Sequence, residues 1–191
     1  MSEDLIVTAR KLARASPKKP RQADLKRAVS TAYYALFHAL AKNAADQLVG
    51  VGQNRPDKAW AQVYRSLQHG EAKNARSQVR NLRFPATIVS CADAFVKLQE
   101  DRHSADYDSD HRVTRADALD AIALAEQAIK DLKATPGKDR RAFAVHLVFK
   151  KRSNSPHSSP PFMRSEASRT KARRGPARAC RIARLTTGGY G

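Results

Sequence analysis

The chain is poor in cysteine, in acids and in long apolar runs, and each shortage removes a class of protein. Its two cysteines, Cys91 and Cys180, stand far apart and form no CxxC or zinc-type spacing. A disulfide framework is therefore not expected, and a reducing cytoplasm is the expected compartment. The longest stretch without Lys, Arg, Asp or Glu runs from Ala28 to Ala41, 14 residues, too short to span a bilayer. The first residues, Met-Ser-Glu-Asp, are acidic and lack the pattern of a signal peptide. No Walker A loop, GxGxxG or GxSxG is present, so the phosphate-cradling and nucleophile-elbow folds that depend on those glycines are excluded. Six histidines, at 38, 69, 103, 111, 146 and 157, show no ligand spacing with Cys or Glu. No metal and no cofactor are expected.

Basic residues, by contrast, are abundant. Thirty-six Lys and Arg face 18 acids, a formal charge of +18, which points to an anionic partner or an acidic protein surface. Residues 151–191 hold ten of the basic residues and one acid, Glu166, a net of +9; residues 1–150 carry the other +9. That terminal stretch is rich in Ser, Pro, Arg and Ala and has no apolar period. It cannot bury enough apolar area to offset the entropy of ordering. We read 1–150 as one helical domain and 151–191 as a disordered basic tail, either an electrostatic arm for nucleic acid or non-native coding.

Hydropathy patterning in the first 150 residues is helical throughout. Ser2 is placed to cap a first helix reaching about Ala15, with Glu3 and Asp4 favouring its positive end. A second helix spans about 22–48, with Leu25, Ala28/Val29, Ala32/Tyr33, Leu36 and Leu40 in an i, i+3/i+4 series. A third opens at Asn54-Arg-Pro56 and carries Trp60, Val63/Tyr64 and Leu67, read as core packing, before His69-Gly70 ends it. Residues 71–82 read as a connector or a frayed helix. A fourth helix begins at Pro85 and carries Ile88, Cys91, Phe95 and Leu98. Val113-Thr-Arg-Ala-Asp117 reads as a hydrophobic staple with a capping box, opening a fifth helix with Leu119, Ile122, Ile129 and Leu132. Thr135-Pro-Gly137 stops it. Residues 141–150 fit a short helix or a short strand.

Two polar features sit inside these apolar patterns. Arg27, Tyr34 and His38 share a narrow stripe of the second helix, nearly opposite its apolar centre. Because charges are absent from 28 to 41, that helix is expected to be buried on two sides, against another helix or another subunit. Arg102 and Asp106 fall on the inner stripe of the fourth helix. A guanidinium there needs a partner, and Asp106 at i+4 is placed to supply one.

Arg27-Ala-Val-Ser-Thr-Ala-Tyr-Tyr-Ala-Leu-Phe-His38 and Leu98-Gln-Glu-Asp-Arg-His-Ser-Ala-Asp-Tyr-Asp108 together resemble the HEPN superfamily, small all-α domains. The first looks like the family's "RRA-aYYa-FH" helix and the second like its "R..ADY" segment before the last long helix. The resemblance covers roughly residues 3–135. It implies an up-down four- to five-helix bundle, often homodimeric. It also implies toxin–antitoxin or defence surroundings and a minimal nucleotidyltransferase as partner.

The family's best-known activity is metal-independent RNA cleavage by an Arg-x4–6-His motif. After Arg102 this chain continues through Asp106, Tyr107 and Asp108 with no histidine at that spacing, since His103 and His111 stand at other spacings. Strings of the right length occur from Arg140 or Arg141 to His146 and from Arg152 to His157, beyond the last long helix. Three functions stay open. One is a partner or binding module for RNA, a nucleotide or a nucleotidyltransferase, in which Arg27, Tyr34, Asp106 and Tyr107 form a polar network or binding surface. The second is a divergent ribonuclease toxin. There Arg102 would stabilise phosphorane charge, with His103 or His38 as acid and base. The third is non-specific nucleic-acid binding through the tail.

Overall fold

Alanine recurs at 28, 32, 35, 41, 44 and 45 of the second helix, and every one of these is buried. Side chains this small let neighbouring helices approach from all round, and that places this helix at the centre of the fold. The computed structural model describes residues 1–149 apart from 17, 69 and 71, without the side chains of 72–75 and 78. Among the described residues there are seven helices and no strand. They are α1 (Ser2–Arg14), α2 (Gln22–Leu48), α3 (Asp57–Ser66), α4 (Ala72–Asn81), α5 (Ala86–Tyr107), α6 (Arg115–Ala134) and α7 (Gly137–Val148). The tail at 151–191, with Cys180 and the Arg152–His157 string, and His69 lie outside the described residues.

α2 packs against α1, α3, α5, α6 and α7, so its expected two-sided burial is met by helices of the same chain. Its apolar series is buried throughout: Leu25, Ala28, Val29, Ala32, Tyr33, Leu36 and Leu40. α5 lays Ile88, Cys91, Phe95 and Leu98 into the same core. The Tyr33 and Phe95 rings stack there at 5.8 Å and 5°, with Phe37 6.4 Å from Phe95. Such ring pairs add to the area they remove from water.

α1 starts one residue earlier than Ser2 capping would require. Met1 is the N-cap, Ser2 is already helical, and the terminal ammonium pairs with Asp4 at 2.8 Å. Glu3 and Asp4 at the start, with Lys11 and Arg14 at the end, suit the helix dipole. Arg10 grips Glu126 of α6 through both nitrogens, Nε at 3.1 Å and Nη2 at 2.5 Å.

Gly50 and Gly52 end α2 with φ of +110° and +100°. Nothing lies near where a Cβ would sit, so backbone conformation, not space, calls for glycine there. The polar stretch before α5 is a helix, α4. Val79 anchors it in the core, and Arg76 and Arg80 reach Asp93 of α5 at 2.7 and 3.2 Å. The capping box forms as read: Asp117 N–H donates to Thr114 Oγ1 at 3.1 Å, and Thr114 N–H to Asp117 Oδ2 at 2.8 Å. Residues 141–148 are helical in α7, which buries Phe143, Ala144 and Leu147. No helix among the described residues is long and apolar enough to cross a membrane.

Candidate functional site

The first polar cluster lies where the C-terminal turn of α5 meets the first half of α2. The Arg102 side chain is only 18% exposed. Its Nε lies 2.8 Å from Asp106 Oδ2, the i+4 pair expected from the helix period. Its Nη2 donates to the Tyr34 hydroxyl at 3.1 Å. Ser30, itself buried on α2, donates from Oγ to Asp106 Oδ1. The guanidinium carbon stands 5.6 to 5.8 Å from the ring centres of Tyr33, Tyr34 and Tyr107, cation–π range. Burial disfavours the charge on Arg102, but Tyr34, Asp106 and Tyr107 together outweigh it and hold the guanidinium above its ordinary pKa. Arg102 is thus a permanent cation held between an acid, a phenol and three rings.

The turn after α5 is fastened to α2 next to this cluster. Gln22 Nε2 donates to the Val113 carbonyl at 2.9 Å, and Gln22 Oε1 accepts from the Val113 N–H at 3.0 Å. Lys26 Nζ donates to the Asp108 carbonyl at 2.8 Å. These bonds fix the register of α5 and α6 against α2.

The other residues expected here are distributed differently. Arg27 is exposed, one helical turn before Thr31, which donates to its carbonyl at 2.7 Å. His103 faces solvent beside Tyr107, their rings 5.0 Å apart, and Tyr107 is 68% exposed. His38 stacks on Tyr34 at 6.3 Å but turns its Nδ1 to α3, where it shares a 2.8 Å hydrogen bond with the Tyr64 hydroxyl. Arg102 and His38 therefore both touch Tyr34, and Arg102 and His103 both flank Tyr107.

His38 leads into a second neighbourhood, a cleft of about 730 Å³ between the C-terminal half of α2 and α3, α1, α6 and α7. One wall is aromatic. Trp60 and Tyr64 stack at 5.1 Å, Arg55 covers Trp60 at 4.4 Å, and the indole N–H donates to Asp46 Oδ1 at 2.9 Å. Ile129 and Leu132 of α6 also line the cleft. Trp60, Val63 and Tyr64 were expected in the core, yet α3 buries none of its residues. Its aromatics are half-buried because α3 meets the bundle along one edge, with the cleft beside it.

The charges at the cleft largely cancel in pairs: Lys42 with Asp46, Lys133 with Glu3 at 2.7 Å, and the terminal ammonium with Asp4. Two enclosed donors remain. Asn43 of α2 is 8% exposed and its Nδ2 has no acceptor, and neither has the Nε of Arg140 on α7. A buried donor left unsatisfied costs about 1–3 kcal/mol, so two of them in one cleft are unusual. Burial first, and the terminal ammonium second, push the pKa of His38 below its ordinary value.

Other chemistry-bearing groups are closed off. Cys91 is fully buried, and burial, reinforced by Asp131, pushes its thiol up to about 12. His146, in the Arg140/Arg141–His146 string, packs its ring edge-on to Phe84 at 5.8 Å. Among the described residues no group of three His, Cys, Asp or Glu could hold a metal ion.

Sequence reasoning found Arg102, Asp106, Tyr34 and His38, but not Ser30, Asn43 or Arg140. Ser30 and Asn43 carried a usable signal, since each is a polar residue on an otherwise apolar or alanine-rich face of α2. Comparison of the chain with protein-family models, with curated proteins and with solved structures gives no match.

Proposed function

We propose that this chain is a HEPN-like helical binding module and not a ribonuclease. In this reading it is an up-down bundle and a homodimer, in the cytoplasm. It engages RNA, a nucleotide or a minimal nucleotidyltransferase in a toxin–antitoxin or defence setting. The family assignment rests on the two motifs around Tyr34 and Arg102. The observation that carries the non-catalytic role is the occupancy of Arg102. Its guanidinium is committed to Asp106 and Tyr34 inside its own chain, and Asp106 is committed in turn to Ser30. A catalytic arginine must instead meet charge that develops on a substrate. The histidines that would supply acid and base point elsewhere, His103 to Tyr107 and solvent, His38 to Tyr64.

The test is incubation of the full chain with total RNA in EDTA, beside Arg102→Ala. The RNA stays intact with both. Cleavage by the wild-type chain that disappears in the variant would overturn this reading and establish the ribonuclease, with Arg102 and His103 or His38 as its machinery. The concentration of +9 in residues 151–191 favours one further reading, non-specific nucleic-acid binding by the tail. Binding of this kind weakens steeply with salt. If RNA affinity and its salt slope are unchanged when the chain is cut after residue 150, the tail is not the binding element.

A further inference from the structure

We propose that the surface formed by the end of α1 and its connection to α2 binds the phosphate backbone of double-helical nucleic acid, whatever its sequence. This surface is separate from the Arg102 cluster and from residues 151–191. It goes beyond the binding-module reading and stands or falls independently of it. The distribution of charge carries it. Residues 10–27 hold eight Lys and Arg and one acid, Asp24, a net of +7. Residues 1–150 as a whole carry +9, so nearly all the excess charge of the helical domain lies in one short stretch. Elsewhere in the domain bases and acids almost balance. Of the eight, Arg10 is spent on Glu126, and Lys26 is bonded to the Asp108 carbonyl. The other six, Lys11, Arg14, Lys18, Lys19, Arg21 and Arg27, are exposed and have no ion pair among the described residues.

The fold holds this charge in place. Arg115 Nη2 of α6 donates to the Ser16 carbonyl at 2.5 Å, and Gln22 is bonded twice to Val113. The α1–α2 and α5–α6 connections therefore meet at one end of the bundle, where Arg112 is exposed as well. The acids of that end, Asp24, Asp108 and Asp110, are outnumbered, and Asp108 Oδ1 turns to the backbone N–H groups of Asp110 and His111. The apolar side of α1, Ile6, Ala9 and Ala13, is buried in the bundle, which leaves no apolar stripe to insert into a bilayer. Residues 10–27 contain no aromatic residue. They offer neither the anchors of a protein interface nor the stacking platforms of a single-strand site. What they offer is a row of ammonium charges and guanidinium forks, which suits a regular array of phosphates. Contacts of that kind position a duplex and do not read its bases.

The full chain is titrated against labelled duplexes of about 20 base pairs in two unrelated sequences, from about 50 to about 200 mM salt. One variant combines Lys11→Gln, Arg14→Gln, Lys18→Gln, Lys19→Gln and Arg21→Gln. A charge-matched control combines Lys58→Gln, Arg65→Gln, Lys130→Gln, Lys138→Gln and Arg141→Gln, exposed cations elsewhere in the domain. The slope of log affinity against log salt is about 0.9 per phosphate contact. The first variant therefore lowers that slope by about 3 or more and binds about tenfold more weakly or worse, while the control keeps most of both. Lys18→Gln with Lys19→Gln, which touches neither helix, lowers the slope by about 1 to 2. The two sequences bind alike. Slopes lowered equally in variant and control, or in neither, would overturn the proposal. So would no binding by the wild-type chain at about 50 mM salt, or a preference above about tenfold for one sequence. Tighter binding to vesicles containing phosphatidylserine than to duplex would overturn it in favour of a membrane surface.

Discussion

Two polar neighbourhoods meet α2, one around Arg102 and Tyr34 and one in the cleft past His38. Around Arg102 the polar groups are paired within the chain: Asp106 lies 2.8 Å from the guanidinium Nε as an ion pair without hydrogen-bond alignment, Ser30 donates to Asp106, and Nη2 donates to Tyr34. At the cleft the chain also encloses Asn43 Nδ2 of α2 and Arg140 Nε of α7 without acceptors. The resemblance to a ribonuclease family directs attention to the first cluster. Paired buried networks rigidify a core, and unpaired buried donors cost stability.

Several changes would break or sharpen that contrast. The largest effect is expected from Phe95→Ala. It removes the ring beneath Tyr33 and Phe37, on which the Arg102 cluster rests, and should cost about 3–5 kcal/mol in urea unfolding. Arg102→Met comes next. It keeps the apolar stem but strands Asp106 and Tyr34, and should cost about 2 kcal/mol. A loss that small substitutions on the cleft wall matched would dissolve the distinction between the two regions.

The pH dependence is smaller and has a definite sign. The pKa of His38 is depressed by burial and by the terminal ammonium, so below about pH 6.5 the unfolded chain takes up a proton that the folded chain resists. The stability from neutral His38 is complete above that pH and declines as pH falls through it. His38→Gln does not titrate and should flatten that part of the stability profile. An NMR titration should place the His38 pKa below 6.5; a value above it would mean a favoured cation and reverse the sign. The least effect belongs to Lys133→Ala. It breaks an exposed pair with Glu3 at the rim and should leave the melting temperature where it was.

Much of this was legible from the chain. The span of α2, the Thr114–Asp117 capping box and the Arg102–Asp106 pair follow from periodicity and i+4 geometry, which are local. The wall formed by Trp60 and Tyr64 was misread as core. Their helical spacing is the same in either case, and only the way α3 meets the bundle decides how deep they lie. Residues 71–82 and 141–150 were left open because their helices are short and owe their stability to tertiary contacts, Val79 with the Asp93 pairs in one and Phe143 with Leu147 in the other. Arg140 gives least warning, since whether its Nε is satisfied depends on how α7 packs against the rest of the bundle. The set of residues around Tyr34 could be listed from the sequence, but its division between Arg102 and His38 could not.

The central claim is that the Arg102 cluster holds the fold and the Asn43 cleft does not. Thermal unfolding of Arg102→Met and Asn43→Leu beside the wild-type chain tests it most directly. The account predicts a clearly lower melting temperature for Arg102→Met and an unchanged or higher one for Asn43→Leu. A stable Arg102→Met together with a strongly destabilised Asn43→Leu would contradict it.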